Sequence, residues 1–227
     1  MKPVTVRMSL LCAVLLLGAC QASDPYSLAG FVNLPAAPDV QTDVRYFTTD
    51  NFVGEAINGY EASLIYLTRE AREALQGVIL DAKVFGLGIK VFDAYRPQQA
   101  VDHFVAWAED LADTRMKAHY YPNVEKANLF RDGYIAARSG HSRGSTLDLT
   151  LFDLASGREL DMGTPWDFFD LTSWGESDAV SVQQRANRAL LRALMTKHGF
   201  MPLREEWWHF TLENEPYPDT YFNFLVR

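Results

Sequence analysis

Residues 145–152, STLDLTLF, restrict the fold more than any other stretch of the chain. Leu147, Leu149 and Leu151 recur at every second position. In an extended backbone they share one face, and Asp148 and Thr150 share the other. A helix would scatter these leucines around its axis, so the fold must contain a sheet with an aliphatic side and an acid on the opposite side. A Ser/Gly/Arg loop carrying His141, SGHSRG at 139–144, leads into this strand. WWHFTL at 207–212 repeats the alternation, with Trp208, Phe210 and Leu212 on one face and Trp207, His209 and Thr211 on the other. LGIKVFDAY at 87–95 is a third β-rich stretch, ending before RPQQ.

Three helices are expected beside these strands. Over 68–85, Thr68 caps the start, Glu70 suits the first turn, and Ala71, Leu75, Val78, Ile79 and Ala82 share a face. Over 97–113, Pro97 suits the first turn and Val101, Phe104, Val105 and Ala108 form the apolar stripe. Over 181–198 the stripe reads Val182, Ala186, Ala189, Leu190, Ala193 and Leu194, and Gly199 stops the helix. Helices and strands do not alternate in a strict βαβ rhythm. The expected class is therefore α+β, a compact single domain with a mainly antiparallel central sheet and flanking helices.

The first twenty residues read as a secretory signal: Lys2 and Arg7, an apolar run from Met8 to Leu17, then Gly18 and Ala19 before Cys20. LGAC is similar to the lipobox of bacterial lipoproteins, in which the cysteine is lipidated and becomes the N-terminus. The expected divisions are a signal peptide at 1–19, a lipidated N-terminus and Pro/Ala/Ser-rich tether at 20–40, and a catalytic domain at 41–227. Gln21 after the cysteine resembles outer-membrane sorting, so the expected location is the periplasmic side, anchored by lipid. Cys12 leaves with the signal and Cys20 is acylated, so no thiol remains for catalysis or metal binding. Of the 227 residues, 48% are hydrophobic, enough for one good core. The net charge of −8 becomes −10 when Lys2 and Arg7 are removed, which argues against a nucleic-acid partner.

Asp148 and His209 each lie on the strand face opposite an apolar row. If their strands are neighbours the two side chains converge, and His141 in the entering loop can reach the same point. Two imidazoles and a carboxylate suit Zn²⁺ with a fourth position open. The alternative is a solvated aspartate and an ordinary packed histidine. Glu206 lies three residues before His209 and would face away in a regular strand, so it belongs where the chain bends into that strand. From there it could approach a zinc-bound water, or it could simply end a loop as part of an acidic pair with Glu205.

DAYRP (93–97), SGHSRGSTLDLTL (139–151), MGTPWDFFD (162–170), EEWWHF (205–210) and EPYPDTYFNF (215–224) together resemble the zinc D-alanyl-D-alanine dipeptidases, which include vancomycin-resistance enzymes. NFVGEAINGY (51–60) and YYPN (120–123) add to the likeness, which runs in family order over nearly the whole domain. The resemblance implies the Hedgehog/DD-peptidase fold and one Zn²⁺ per chain. It implies hydrolysis of D-alanyl-D-alanine to two D-alanines in peptidoglycan metabolism. By the same resemblance His141, Asp148 and His209 are the zinc ligands, Glu206 is the catalytic base and Arg96 stabilises the transition state. Ser139 and Asp167 hold the substrate's free amino end. Arg96 has the alternative of a structural salt bridge, and Asp167 has a neighbouring competitor in Asp170. The implied partner is a small D,D-dipeptide, with the membrane reached through the N-terminal lipid alone. Two other functions stay open: a peptidase acting on longer peptidoglycan stem peptides, and a non-catalytic, zinc-containing wall-binding lipoprotein.

Overall fold

The computed structural model describes residues 28–227. The expected signal peptide, Cys20 and the first part of the expected tether lie outside the described residues. The chain runs through β1 (Phe31–Asn33), β2 (Val40–Thr42), β3 (Tyr66–Thr68), α1 (Arg69–Val84), β4 (Leu87–Asp93) and α2 (Gln98–Glu109). It continues through the single turn α3 (Lys117–Tyr120), then β5 (Thr146–Asp153), α4 (Val182–Lys197), β6 (Phe200–Pro202) and β7 (His209–Leu212). Five strands form one sheet in the order β2-β4-β5-β7-β6, antiparallel except for the β2–β4 pair. β1 and β3 form a separate antiparallel pair. The α+β class and the mainly antiparallel sheet agree with the sequence.

β5 is the centre of this sheet and is buried along almost its whole length. Leu147, Leu149 and Leu151 are fully buried. α1 packs on β4, α4 packs on β6, and the two helices pack on each other. On the Asp148 side, Trp166 stacks on Phe92 with ring centroids 5.2 Å apart, and its indole reaches Asp148. Tyr46 and Phe52 join Phe104 of α2 in the same aromatic layer. The acid is therefore roofed on this side by aromatic rings.

Local rules account for most helix ends. Thr68 Oγ1 accepts from the Ala71 amide and starts α1, whose buried face is the one expected. Ser181 and Gln184 form a reciprocal capping box on α4, and Gly199 follows the helix with φ +83°. His198 caps α4 and bonds Asp81 of α1 at 2.6 Å.

The structure corrects four expectations. The tether does not extend to residue 40: β1 lies within it, β2 begins at its last residue, and Phe31 packs edge-on against Tyr95, Phe222 and Phe224. α2 ends at Glu109, and Trp107 is buried where Val105 is half-buried. Trp207 and Trp208 occupy a turn, so the last strand begins at His209. The buried face of α4 is Asn187, Arg188, Leu191, Leu194 and Met195, while Val182 is 73% exposed. Alanines contribute little apolar area, so a face holding Leu191 and Met195 outcompetes one with Ala186, Ala189 and Ala193.

Candidate active site

Cross-strand register builds the site. A bulge between Val91 and Asp93 sets Asp93 opposite Asp148, and Asp148 pairs across β5–β7 with His209. Three chemical side chains thus stand in line across three strands. His141 comes from the turn Gly140–Arg143, whose start is capped by the Ser139 hydroxyl. The turn ends at Gly144 with φ +84°, where an added Cβ would collide with the Phe31 ring. The Arg96 amide donates to the His141 carbonyl at 3.3 Å, and the Phe222 amide donates to the Ser142 carbonyl at 2.8 Å. The loop is therefore clamped on both sides.

The three expected ligands meet. His141 Nδ1 donates to the Ala94 carbonyl at 2.7 Å, which leaves Nε2 free to use its lone pair. Nε2 lies 3.3 Å from Asp148 Oδ1 and 3.2 Å from His209 Nδ1, and His209 Nδ1 lies 3.2 Å from the same Asp148 oxygen. Tetrahedral ligands about 2.0–2.1 Å from a zinc ion are separated by about 3.3–3.4 Å. The observed triangle matches that edge length. Asp148 Oδ1 is buried and, among the described residues, has no hydrogen-bond partner, whereas Oδ2 accepts from Trp166 Nε1 at 3.2 Å. An orphaned oxygen 3.3 and 3.2 Å from two imidazole nitrogens fits a divalent cation in their midst.

Electrostatics support the same fit. Burial opposes ionisation of Asp148, but His141 and His209 outweigh it and hold the carboxyl far below the usual range. Burial disfavours a charged His209, yet Asp148 and Glu206 push its imidazole up to about 9. The cluster draws a positive charge to itself, either a proton or a cation in the proton's place.

Glu206 sits in the turn before β7, as its spacing required, with Oε2 3.2 Å from His209 Nδ1. Arg96 is both a structural and a cavity residue. Its Nε and Nη2 each bond Asp93 Oδ2 at 2.9 Å, Nη2 is 3.7 Å from Asp148, and the guanidinium lies over the Tyr46 and Phe104 rings. Asp167 is 5% exposed and accepts from the Tyr46 hydroxyl at 2.6 Å. Burial, reinforced by Asp148, pushes its carboxyl well above the ordinary range. Among the described residues it is the one non-glycine with positive φ, +59°. Such strain collects at functional positions. Its competitor Asp170 instead caps the turn Leu171–Ser173 through the Thr172 amide.

A cavity of about 330 Å³ joins these groups: Arg96, Ser139, His141, Asp148, Asp167, Glu206 and His209 all line it. The other histidines stay outside. His103 bonds Glu55, His198 bonds Asp81, and His119 is exposed. Arg143 ties its loop to Glu215 by contacts of 2.8–2.9 Å.

Three supporting residues escaped the sequence reading. Asp93 bonds Arg96 and the Tyr60 hydroxyl and lies 3.4 Å from His141 Nδ1. Tyr46 anchors Asp167, and Trp166 anchors Asp148. Asp93 had one available signal: it is an acid at the end of a buried strand, three residues before Arg96.

The comparisons agree with this geometry. The family model described as D-ala-D-ala dipeptidase matches residues 28–227. A D-alanyl-D-alanine dipeptidase of Enterococcus faecalis (strain ATCC 700802 / V583) is 44% identical over 187 residues, 82% of this chain and 93% of the relative. The Streptomyces coelicolor enzyme of that name has the same identity and coverage. That of Escherichia coli K12 is 34% identical over 77% of this chain and 80% of its own. A match that spans every element of the described fold, and takes in all seven candidate site residues, makes this chain a member of the D-ala-D-ala dipeptidase family.

Proposed function

We propose that the protein is a zinc-dependent dipeptidase that hydrolyses D-alanyl-D-alanine to two D-alanines in peptidoglycan metabolism. The observation that carries this reading is the shape of the cavity. At one end stand three ligand atoms 3.2–3.3 Å apart with Glu206 beside them, and the wall also holds a buried, unpaired-for-charge carboxylate, Asp167. Its volume of about 330 Å³ lies at the small end of ligand pockets, which suits a dipeptide better than a long stem peptide.

His141, Asp148 and His209 would hold the zinc ion. The chemistry zinc would supply in such a site is Lewis acidity, lowering the pKa of a water molecule towards ~7 and polarising a carbonyl. Glu206 accepts the proton that the attacking water loses and returns it to the amine nitrogen as the C–N bond breaks. Arg96, held in place by Asp93, places a permanent cation where the carbonyl oxygen gains negative charge. Asp167 pairs with the substrate's ammonium, which adds a direct ion-pair partner to the partial compensation that Tyr46 and Arg96 give this buried carboxyl. The Ser139 hydroxyl, next to His141, adds a polar contact to the same amine.

The decisive measurement couples metal analysis of the purified protein to assays on D-Ala-D-Ala and its N-acetylated form. One zinc per chain with cleavage confined to the free dipeptide supports the proposal. Efficient cleavage of the acylated peptide replaces it with the stem-peptide peptidase. A wall-binding protein without catalysis gives Glu206 no task, and absence of hydrolysis by zinc-loaded protein would favour it. The proposal includes export and lipid anchoring at Cys20, supported by the pattern of residues 2–20. Labelled palmitate retained by a Cys20→Ser variant would exclude that anchor.

A further inference from the structure

Beside the turn that carries Glu206 lies a second cavity, of about 190 Å³. Its lining includes three guanidinium groups, Arg188, Arg192 and Arg204, with the rings of Trp207 and Phe210 as an apolar wall. Arg192 and Arg204 are surface side chains paired with Glu176 and Glu205. Arg188 is of another kind. It comes from the buried face of α4 and is 3% exposed. Its Nε donates to the Met162 carbonyl at 2.6 Å, and its Nη1 donates to the Thr172 and Trp174 carbonyls at 2.9 and 2.8 Å. All three acceptors are neutral, and among the described residues Nη2 has no hydrogen-bond partner. Burial pushes this guanidinium down to about 10, with Asp161 opposing. At neutral pH the group is still a cation.

A buried cation held by three neutral carbonyls and the face of Trp207, with one donor nitrogen unused, lacks a counter-charge at ion-pair distance among the described residues. We propose that this cavity binds a small oxyanion, a carboxylate or a phosphate, through Arg188 together with Arg192 and Arg204. The planar guanidinium fork matches both anions, and Arg192 and Arg204 can exchange exposed glutamate partners for a ligand. Trp207 and Phe210 accommodate an apolar group attached to the anion. Leu203 and Glu206 line both cavities, so an occupant here adjoins the turn that holds Glu206. Any effect on turnover rests on the function proposed above; binding does not.

The test uses zinc-loaded protein titrated with sodium phosphate and, separately, sodium acetate at constant ionic strength. The indole N–H signals of the tryptophans are followed by NMR, with Trp207 assigned through Trp207→Phe. The expected result is saturable movement of the Trp207 signal by at least one anion. Which anion acts assigns the source as phosphate, carboxylate or both. Arg188→Lys should abolish the movement. Arg192→Ala/Arg204→Ala, confined to surface side chains and so retaining the fold, should weaken binding at least fivefold. A Trp207 signal indifferent to both anions overturns the proposal. So does unchanged affinity in the folded double variant, since binding at the zinc end alone would survive it.

Discussion

The cavity holds two buried carboxylates, and their surroundings drive them in opposite directions. Asp148 is 1% exposed and Asp167 is 5% exposed, so burial raises both. At the metal end, two imidazoles outweigh burial and keep Asp148 an anion. At the Asp167 end, Asp148 and Glu206 add repulsion, while the Tyr46 hydroxyl and Arg96 only partly offset it. The lesson is that charge neighbours, not depth, decide the ionisation of a buried acid. On the function proposed above, one region would keep a cation permanently, and the other an acid that becomes an anion when a cation arrives.

The largest test of this contrast is at the metal end. Glu206→Gln should lower kcat by about 10²–10⁴-fold, the range for a general acid–base group, with zinc content unchanged. Metal analysis beside steady-state kinetics checks both parts, and undiminished turnover would remove Glu206 from the mechanism. At the other end, Asp167→Asn should cost about ten- to a hundredfold in kcat/KM for the free dipeptide, the value of a hydrogen bond to a charged group. Inhibition by the N-acetylated peptide, which lacks the ammonium and is not expected to be cleaved, should show no comparable loss. An equal loss for both peptides would make Asp167 a structural residue.

pH sharpens the same comparison. Below its raised pKa Asp167 is neutral and pairs weakly with an ammonium; above it the ion pair forms. kcat/KM should therefore rise with pH along an acid limb displaced above the usual carboxylate range, and Asp167→Asn should erase that limb. The smallest effect is expected from Tyr46→Phe. The Tyr46 hydroxyl favours the Asp167 anion, so its loss should move the limb to still higher pH. The accompanying cost in kcat/KM should be a few-fold, the net value of one hydrogen bond. A limb that moves down instead would reverse the assigned role of that hydroxyl.

Much of this was legible before any coordinates. Alternation in STLDLTLF placed Asp148 opposite the leucines, and the offset of Glu206 from His209 placed a bend before the last strand. The α1 stripe and the Gly199 stop were equally plain. α4 was misread because its alanines satisfy the helical period without carrying much burial energy, so the core selected Leu191, Met195 and the stem of Arg188. The adjacent Trp207 and Trp208 look like strand residues by propensity, but the chain spends them on the turn that aims Glu206.

By itself the sequence determined the chemistry available: two histidines, an aspartate, a glutamate and an arginine, on segments whose periodicity orients side chains locally. Tertiary structure alone decided the register that aligns Asp93, Asp148 and His209. It also decided the partnership of Tyr46 with Asp167 across 121 positions, and the isolation of Arg188 from any acid at ion-pair distance among the described residues. The physical reason is range. Side-chain direction along a strand or helix follows from backbone geometry over a few residues, whereas pairing between distant segments is set by the packing of the whole core.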